Sequence, residues 1–330
     1  MQLTRWLTLA VLTTSLQAYA YDLPQLQQLL DRQKYRQLQQ ELTQTAETSQ
    51  QPELLVMQAK AMISLGQDEA LAEVLEKTLP QFPQHAELIR LAGINQFNLA
   101  QSSSIFSAPG YAKQGLAYFE QAASLAPDEA KYQRGLIDFY AAAPSIVGGD
   151  KKKAQQLADA LQQKNQIHGT LAQVALLRRQ DKAQDALKLT ETLKQQHPAS
   201  PEVLEAYARQ LADQNRPAEA FAVYQQVLPL YAREVEQYPA LLQLGQLAAI
   251  AGQDKAAGKQ ALEKYLSFFA DSDNPNYPWA QLRLAQIHLL EQNKAAAEQM
   301  VASLLAQEPE QEKLQKELKA LQKSLKQLKS

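Results

Sequence analysis

The sequence predicts an all-α solenoid of about eight stacked helix pairs, closed by one last helix. Three observations lead there. Ala, Leu, Gln, Lys and Glu, all strong helix formers, dominate the composition, and runs of β-branched residues are almost absent. Apolar residues fall at helical spacing: in 200–230, "SPEVLEAYARQLADQNRPAEAFAVYQQVLPL", Leu204, Tyr207, Ala208 and Leu211 share one face of a helix, Asn215 interrupts it, and Ala220, Tyr224 and Val227 share a face of the next. The unit then recurs down the chain. A single pair cannot bury its apolar face, so neighbours must stack. That favours one elongated body over the two domains that 330 residues alone would suggest.

Residues 1–20, "MQLTRWLTLAVLTTSLQAYA", read as an export signal. Arg5 ends a short positive segment, Trp6 to Leu16 form an apolar stretch, and Ala18-Tyr19-Ala20 supplies the small residues a signal peptidase needs. The run falls short of the ~20 apolar residues that span a bilayer. Cleavage is expected after Ala20, giving a periplasmic or secreted protein with no stable membrane span. The absence of cysteine removes disulfides, thiolate metal sites and thiol nucleophiles. With 33 Lys and Arg against 35 Asp and Glu, no global field favours nucleic acid, and an anionic membrane could attract the chain only locally.

The array is expected over 21–308. Its opening pair, "DLPQLQQLLDRQKYRQLQQELTQ" (22–44), breaks near Gln33-Lys34. Small residues mark where two helices cross closely: Ala59, Gly93, Ala208, Gly245 and Ala285 on first helices, and Gly115, Ala154, Ala186, Ala220, Ala257 and Ala297 on second ones, with Leu71 in the equivalent early position. Counted from Leu71 the second-helix positions lie 44, 39, 32, 34, 37 and 40 residues apart. Pro83, Pro127, Pro198 and Pro309 stand where a helix must stop. The pattern resembles the tetratricopeptide repeat (TPR), whose period is about 34 residues. That resemblance implies a right-handed superhelix with a concave inner face. In 309–330, Leu314, Leu318, Leu321, Leu325 and Leu328 form a narrow stripe among lysines, which suits a helix capping the exposed end of the array better than a coiled-coil dimer.

Two turns are too long for the repeat. "AQSSSIFSAPG" separates the helices of one pair and "AAAPSIVGGD" those of the next. Equivalent turns lie side by side on one edge of a solenoid, so Ile105 and Phe106 are expected to pack with Ile146 and Val147 in a small ridge. Asp150 reads as the N-cap of a helix starting at Lys151, and Gly148-Gly149 as residues permitting a tight return. The stretch is not a nucleotide-phosphate loop: no strand precedes it, the glycines are adjacent, and no Ser or Thr follows the lysines. Lys151, Lys152 and Lys153 sit against the positive end of that helix, which leaves a modest case for an anion site. Ala143, Pro144, Gly148, Gly149, Lys153 and Ala154 also resemble a turn found in a group of exported bacterial TPR proteins, a likeness that implies no activity.

Catalytic chemistry finds no support. His85, His168, His197 and His288 lack metal-ligand spacing, "SSS" at 102–104 lacks a nucleophile elbow, and helical acid pairs such as Glu202 and Glu205 do not face each other across a cleft. No enzyme, metal or cofactor is expected. The TPR resemblance implies instead that first helices present Arg90, Ile94, Phe97, Arg134, Asp138, Arg178 and Arg209 to the concave face. Four arginines there would suit an acidic segment, a terminal carboxylate or a sugar acid; the lysine–asparagine carboxylate clamp of chaperone-binding TPR domains is not matched. Aromatics crowd into 106–140, and some could form a contact surface. The expected function is a non-catalytic scaffold or adaptor that binds a protein or peptide of the cell envelope. The alternative is a small-molecule-binding accessory protein of envelope transport, with a pocket roofed by 101–110 and 145–150.

Overall fold

The computed structural model describes residues 22–43 and 51–327. The expected export signal at 1–20 and Leu328 of the terminal stripe lie outside the described residues. Among the described residues there are seventeen α-helices and no strand. They run α1 (Leu23–Asp31), α2 (Tyr35–Thr43), α3 (Pro52–Ser64), α4 (Asp68–Thr78), α5 (Ala86–Ser102), α6 (Ala108–Leu125), α7 (Ala130–Ala142), α8 (Lys151–Lys164) and α9 (Gln166–Arg179). The order continues α10 (Ala183–Gln196), α11 (Pro201–Asp213), α12 (Pro217–Val227), α13 (Tyr238–Ala251), α14 (Lys255–Phe268), α15 (Tyr277–Leu290), α16 (Lys294–Ala306) and α17 (Glu312–Gln327). These make eight antiparallel pairs and one unpaired last helix.

Six of the eight pairs turn in three residues, and each of those turns holds a residue with left-handed backbone: Gln33, Gly66, Asp181, Asn215, Gly252 and Gln292. One residue at positive φ reverses the chain and frees the last carbonyls for bonds from the turn, such as Arg216 N–H to Leu211 O at 2.9 Å. Side chains start several helices by accepting orphan N–H groups: Asp22 from Gln25, Asn165 from His168, Asp254 from Ala257 and Asn293 from Ala296.

The crossing positions are packed as their size predicts. Ala59, Ala154, Ala186, Ala208, Ala220, Ala285 and Ala297 are buried at 1% exposure or less. Ala257 is a correction: it is only half-buried, and the tight crossing of α13 with α14 falls one residue later, where a Cβ on Gly258 would collide with that of Ala248. A sequence pattern tolerates a one-residue shift between two adjacent small residues; packing does not. On α17, Leu314, Leu318, Leu321 and Leu325 are buried with Leu282, Ala297, Val301 and Leu304 of the last pair, so the array ends on a covered face.

The two long turns depart from expectation. The first is largely helix: α5 runs to Ser102 because Leu99 continues its buried face, and α6 restarts at Ala108 with Pro109 in its first turn, where the missing N–H costs nothing. Two long helices therefore replace the loop expected at 101–110. The expected ridge does not form: Ile105, Phe106 and Ile146 are 81%, 89% and 73% exposed. Only Val147 is buried, within a short 3-10 turn, Ser145–Val147, that packs on α6. Asp150 caps α8 as expected, accepting from Lys152 N at 2.9 Å and Lys153 N at 3.0 Å. The glycines serve different ends. Gly148 takes φ +104°, whereas Gly149 leaves room for the carbonyl of Ala143, which any Cβ would strike.

The ends of the array also meet. Arg36 pairs with Asp273 at 2.7 Å, the Asp273 N–H donates to Gln33 O at 2.9 Å, Arg233 lies 3.6 Å from Asp31, and the Arg32 guanidinium sits 5.1 Å from the centre of the Phe268 ring. In a simple solenoid each repeat touches only its neighbours. Here the first pair reaches the α12–α13 connection, the end of α14 and the loop that follows it.

Candidate partner-binding surface on the inner wall

Odd-numbered helices touch the next odd-numbered ones, α3 with α5, α7 with α9, α9 with α11 and α13 with α15, while even-numbered helices make no comparable contacts. The stack is therefore tighter on the odd side. The odd helices line the concave wall.

Two depressions open there. The first, about 160 Å³, lies over α7, α9 and α11 and is lined by Arg134, Arg178, Arg209, Glu202, Glu205 and Gln210 among others. Three of the four arginines expected on this face thus converge. Two of them are paired internally, however. Arg134 reaches across α9 to Glu202, which lies 3.3 Å from His168 Nδ1, and Arg178 pairs with Asp213. Arg209 faces Tyr224, whose hydroxyl burial pushes up to about 12 against the opposing pull of that guanidinium. Glu205 accepts from the Tyr231 hydroxyl, which burial and then this carboxylate push up strongly. The floor holds Gln210, 4% exposed. Its Nε2 donates to Thr190, while its carbonyl oxygen has no partner in the protein.

The other expected residues divide. Arg90 forms a two-pronged bond with Glu87 (3.1 and 2.8 Å), and Glu87 also meets Lys131 at 3.1 Å, Lys60 at 3.8 Å and the Tyr132 hydroxyl at 3.3 Å. Burial alone would raise the Glu87 carboxyl, but Arg90 and Lys131 reverse this and hold it at about 2. Asp138 stands 3.8 Å from Arg179. Ile94 and Phe97 are half-buried in the core: Phe97 stacks on Phe139 with ring centres 4.9 Å apart and lies 5.2 Å from Phe119. They are packing residues: Gly115 leaves room for the Phe97 ring, as Gly93 and Gly135 do for Phe119. A Cβ on Gly115 would stand 2.5 Å from Phe97, and one on Gly93 2.5 Å from Phe119. The arginines stand in a wall of alternating charge, since Glu87, Glu202 and Asp213 answer Arg90, Arg134 and Arg178.

The second depression, about 470 Å³, was not anticipated. It lies where the first turn meets α13 and α15, between Asp31 and Gln33 on one side and Tyr238, Gln243, Gln246, Phe269, Trp279 and Arg283 on the other. Arg283 is 6% exposed, bonded to Glu317 at 2.6 Å and set 5.4 Å from the Trp279 ring, with Lys313 5.9 Å from the same ring. The aromatic-rich run 265–279 was the available signal; the closure that walls the site was invisible. Of the roof expected from both long turns, the second borders an open depression of about 960 Å³ with Arg178, Arg179 and Lys151, but 101–110 contributes nothing to its lining. Among the described residues no cluster could hold a metal ion, and no helix is long and apolar enough to cross a membrane.

No family model matches the sequence, and no curated protein does. Solved structures do resemble it. Yeast Tom70 superposes with a TM-score of 0.59 at 16% identity, over 88% of this chain and 58% of that one. A human IFIT1 dimer with m7Gppp-AAAA gives 0.52 at 14%, over 83% and 63%, and the APC/C hetero-tetramer Cut9-Hcn1 gives 0.51 at 14%, over 90% and 54%. The chain spans little more than half the length of these proteins. At such identities the likeness concerns the fold, and the fold is that of a TPR solenoid.

Proposed function

We propose that the chain is a non-catalytic adaptor that binds an extended segment of a partner protein along its inner wall, over α7, α9 and α11. The observation that carries this is the depression where arginines from three successive odd helices converge among Glu202 and Glu205. A peptide main chain offers N–H donors at regular spacing, and its side chains can exchange with the arginine–carboxylate pairs around it. Alternating charge fits a mixed sequence better than an acidic one. The rigid wall contributes by lowering the ordering cost of the segment it receives. The protein-binding sense also fits the Cut9-Hcn1 neighbour, a hetero-oligomeric assembly.

We place this adaptor outside the cytoplasm, in the periplasm or secreted, with a partner from the cell envelope. The placement rests on residues 1–20 alone, and N-terminal sequencing of the protein recovered from its native host tests it: a chain starting at Tyr21 is expected. Capture from envelope extract tests the binding surface. The protein should retain a partner that the Arg134→Ala/Arg178→Ala/Arg209→Ala variant, equally folded by circular dichroism, loses. Equal capture by both would end the proposal.

A further inference from the structure

We infer that the tip of the α5–α6 hairpin is an interfacial anchor that inserts into the surface of an anionic lipid bilayer. Ile105 and Phe106 stand at this tip, 81% and 89% exposed, in a protein whose ordinary turns carry polar residues such as Asn215, Gln253 and Gln292. Exposed large apolar side chains that meet nothing in their own chain mark a surface for something else.

Geometry and charge select the occupant. Gly148 of the neighbouring turn lies against Leu116, eight residues into α6 from Ala108. The hairpin therefore overshoots that turn by about 12 Å at 1.5 Å per residue. A convex finger offers no groove to a partner helix, but its overshoot approximates the ~5–10 Å to which interfacial elements sink. No carboxylate occurs from Leu88 through Phe119, so nothing on the outer hairpin opposes entry or repels lipid phosphate. The cations sit where headgroups would be. Exposed Lys113 is on the second turn of α6, and exposed Lys151 and Lys152 follow the set-back turn. Tyr111, one turn from the tip, suits the same depth. Lys153 is engaged with Glu120 at 3.1 Å and with the Tyr140 hydroxyl, and is not counted. The anchor would set the inner wall beside a membrane without any spanning segment.

Flotation of the full chain with phosphatidylcholine vesicles, with and without phosphatidylglycerol, tests this. Binding is expected only with phosphatidylglycerol. It should fall about tenfold for Phe106→Ser, in line with losing one buried aromatic, and fall further with added salt or with Lys151→Gln/Lys152→Gln. All three positions are exposed, so folding should be unaffected. A Phe106→Trp variant should show blue-shifted emission on vesicle addition. No flotation of the parent, flotation indifferent to Phe106→Ser, or an unshifted Phe106→Trp spectrum would each overturn the inference. So would finding that the tip is needed only to hold a protein.

Discussion

Two aromatic clusters of this protein are packed by different means. Around α5, α6 and α7, Phe97 stands over Gly115 and Phe119 over Gly93 and Gly135, the two rings filling the space the glycines leave, while Phe139 stacks on Phe97. Around α13, α14 and α15, Tyr238, Phe268 and Phe269 stack among themselves, with centres of Tyr238 and Phe268 4.0 Å apart, while Trp279 looks onto an open depression edged by Gln243, Gln246 and Arg283. Aromatic density is the same signal in both. Both clusters are core, Tyr238 and Phe269 being 2% and 3% exposed; the difference is that glycines receive the rings of the first, whereas the second packs ring on ring and leaves Trp279 at its rim.

The contrast can be broken in several places. Phe119→Ala should cost about 3–5 kcal/mol in denaturant unfolding, whereas Trp279→Ala, at the rim of the open cluster, should cost far less. Similar losses would mean that Trp279 is as much core as Phe119. Acid should weaken the first region specifically. The Glu87 carboxyl is held at about 2 against an ordinary 4.5, so it stabilises fully above pH 4.5 and this contribution fades as pH falls towards 2. The parent should lose about 2–3 kcal/mol across that window, and Glu87→Gln should flatten the slope. A parallel slope in that variant would place the sensitivity elsewhere. Gly115→Ala adds a methyl where Phe97 already stands and should cost about 1–3 kcal/mol. Gly66→Ala, with open space around its Cβ position, should be felt only through its positive φ. The smallest effect is expected at the other cluster's edge. Arg36 is largely exposed, so Asp273→Ala should change global stability by ~1 kcal/mol or less, yet raise amide exchange across 22–43 while 86–142 stays unchanged. Unaltered exchange in α1 and α2 would show that the contact does not hold them.

Much of this was legible beforehand where the cause is local. The eight pairs followed from apolar spacing, the reversal near Gln33 and at Asn215 from helix-breaking residues, and the Asp150 cap from side-chain chemistry, each decided within a few residues. The long hairpin was misread because "SSS" carries turn chemistry while Leu99, four residues on from Asn95, quietly extends the buried face. Phe97 falls inside and not on the wall because a repeat register fixes direction only to within a residue or so, and Gly115 on the facing helix leaves room for its ring. Of the inner surface, Arg134, Arg178 and Arg209 were placed together by the register alone. Their carboxylate partners were not, since Arg134 meets Glu202 from two repeats away. The meeting of Arg36 with Asp273 had no precursor in any window, because curvature accumulated over every intervening pair decides it.

That meeting changes how the molecule can respond to force. An open array of repeats stretches like a coil spring, each hinge yielding a little. A clasp between the first pair and the loops before α13 and after α14 bypasses most of those hinges, so the coil should hold its pitch until Arg36, Arg233 and their carboxylates let go, and lengthen abruptly afterwards. Because these ion pairs are exposed, ionic strength would set the load at which this happens.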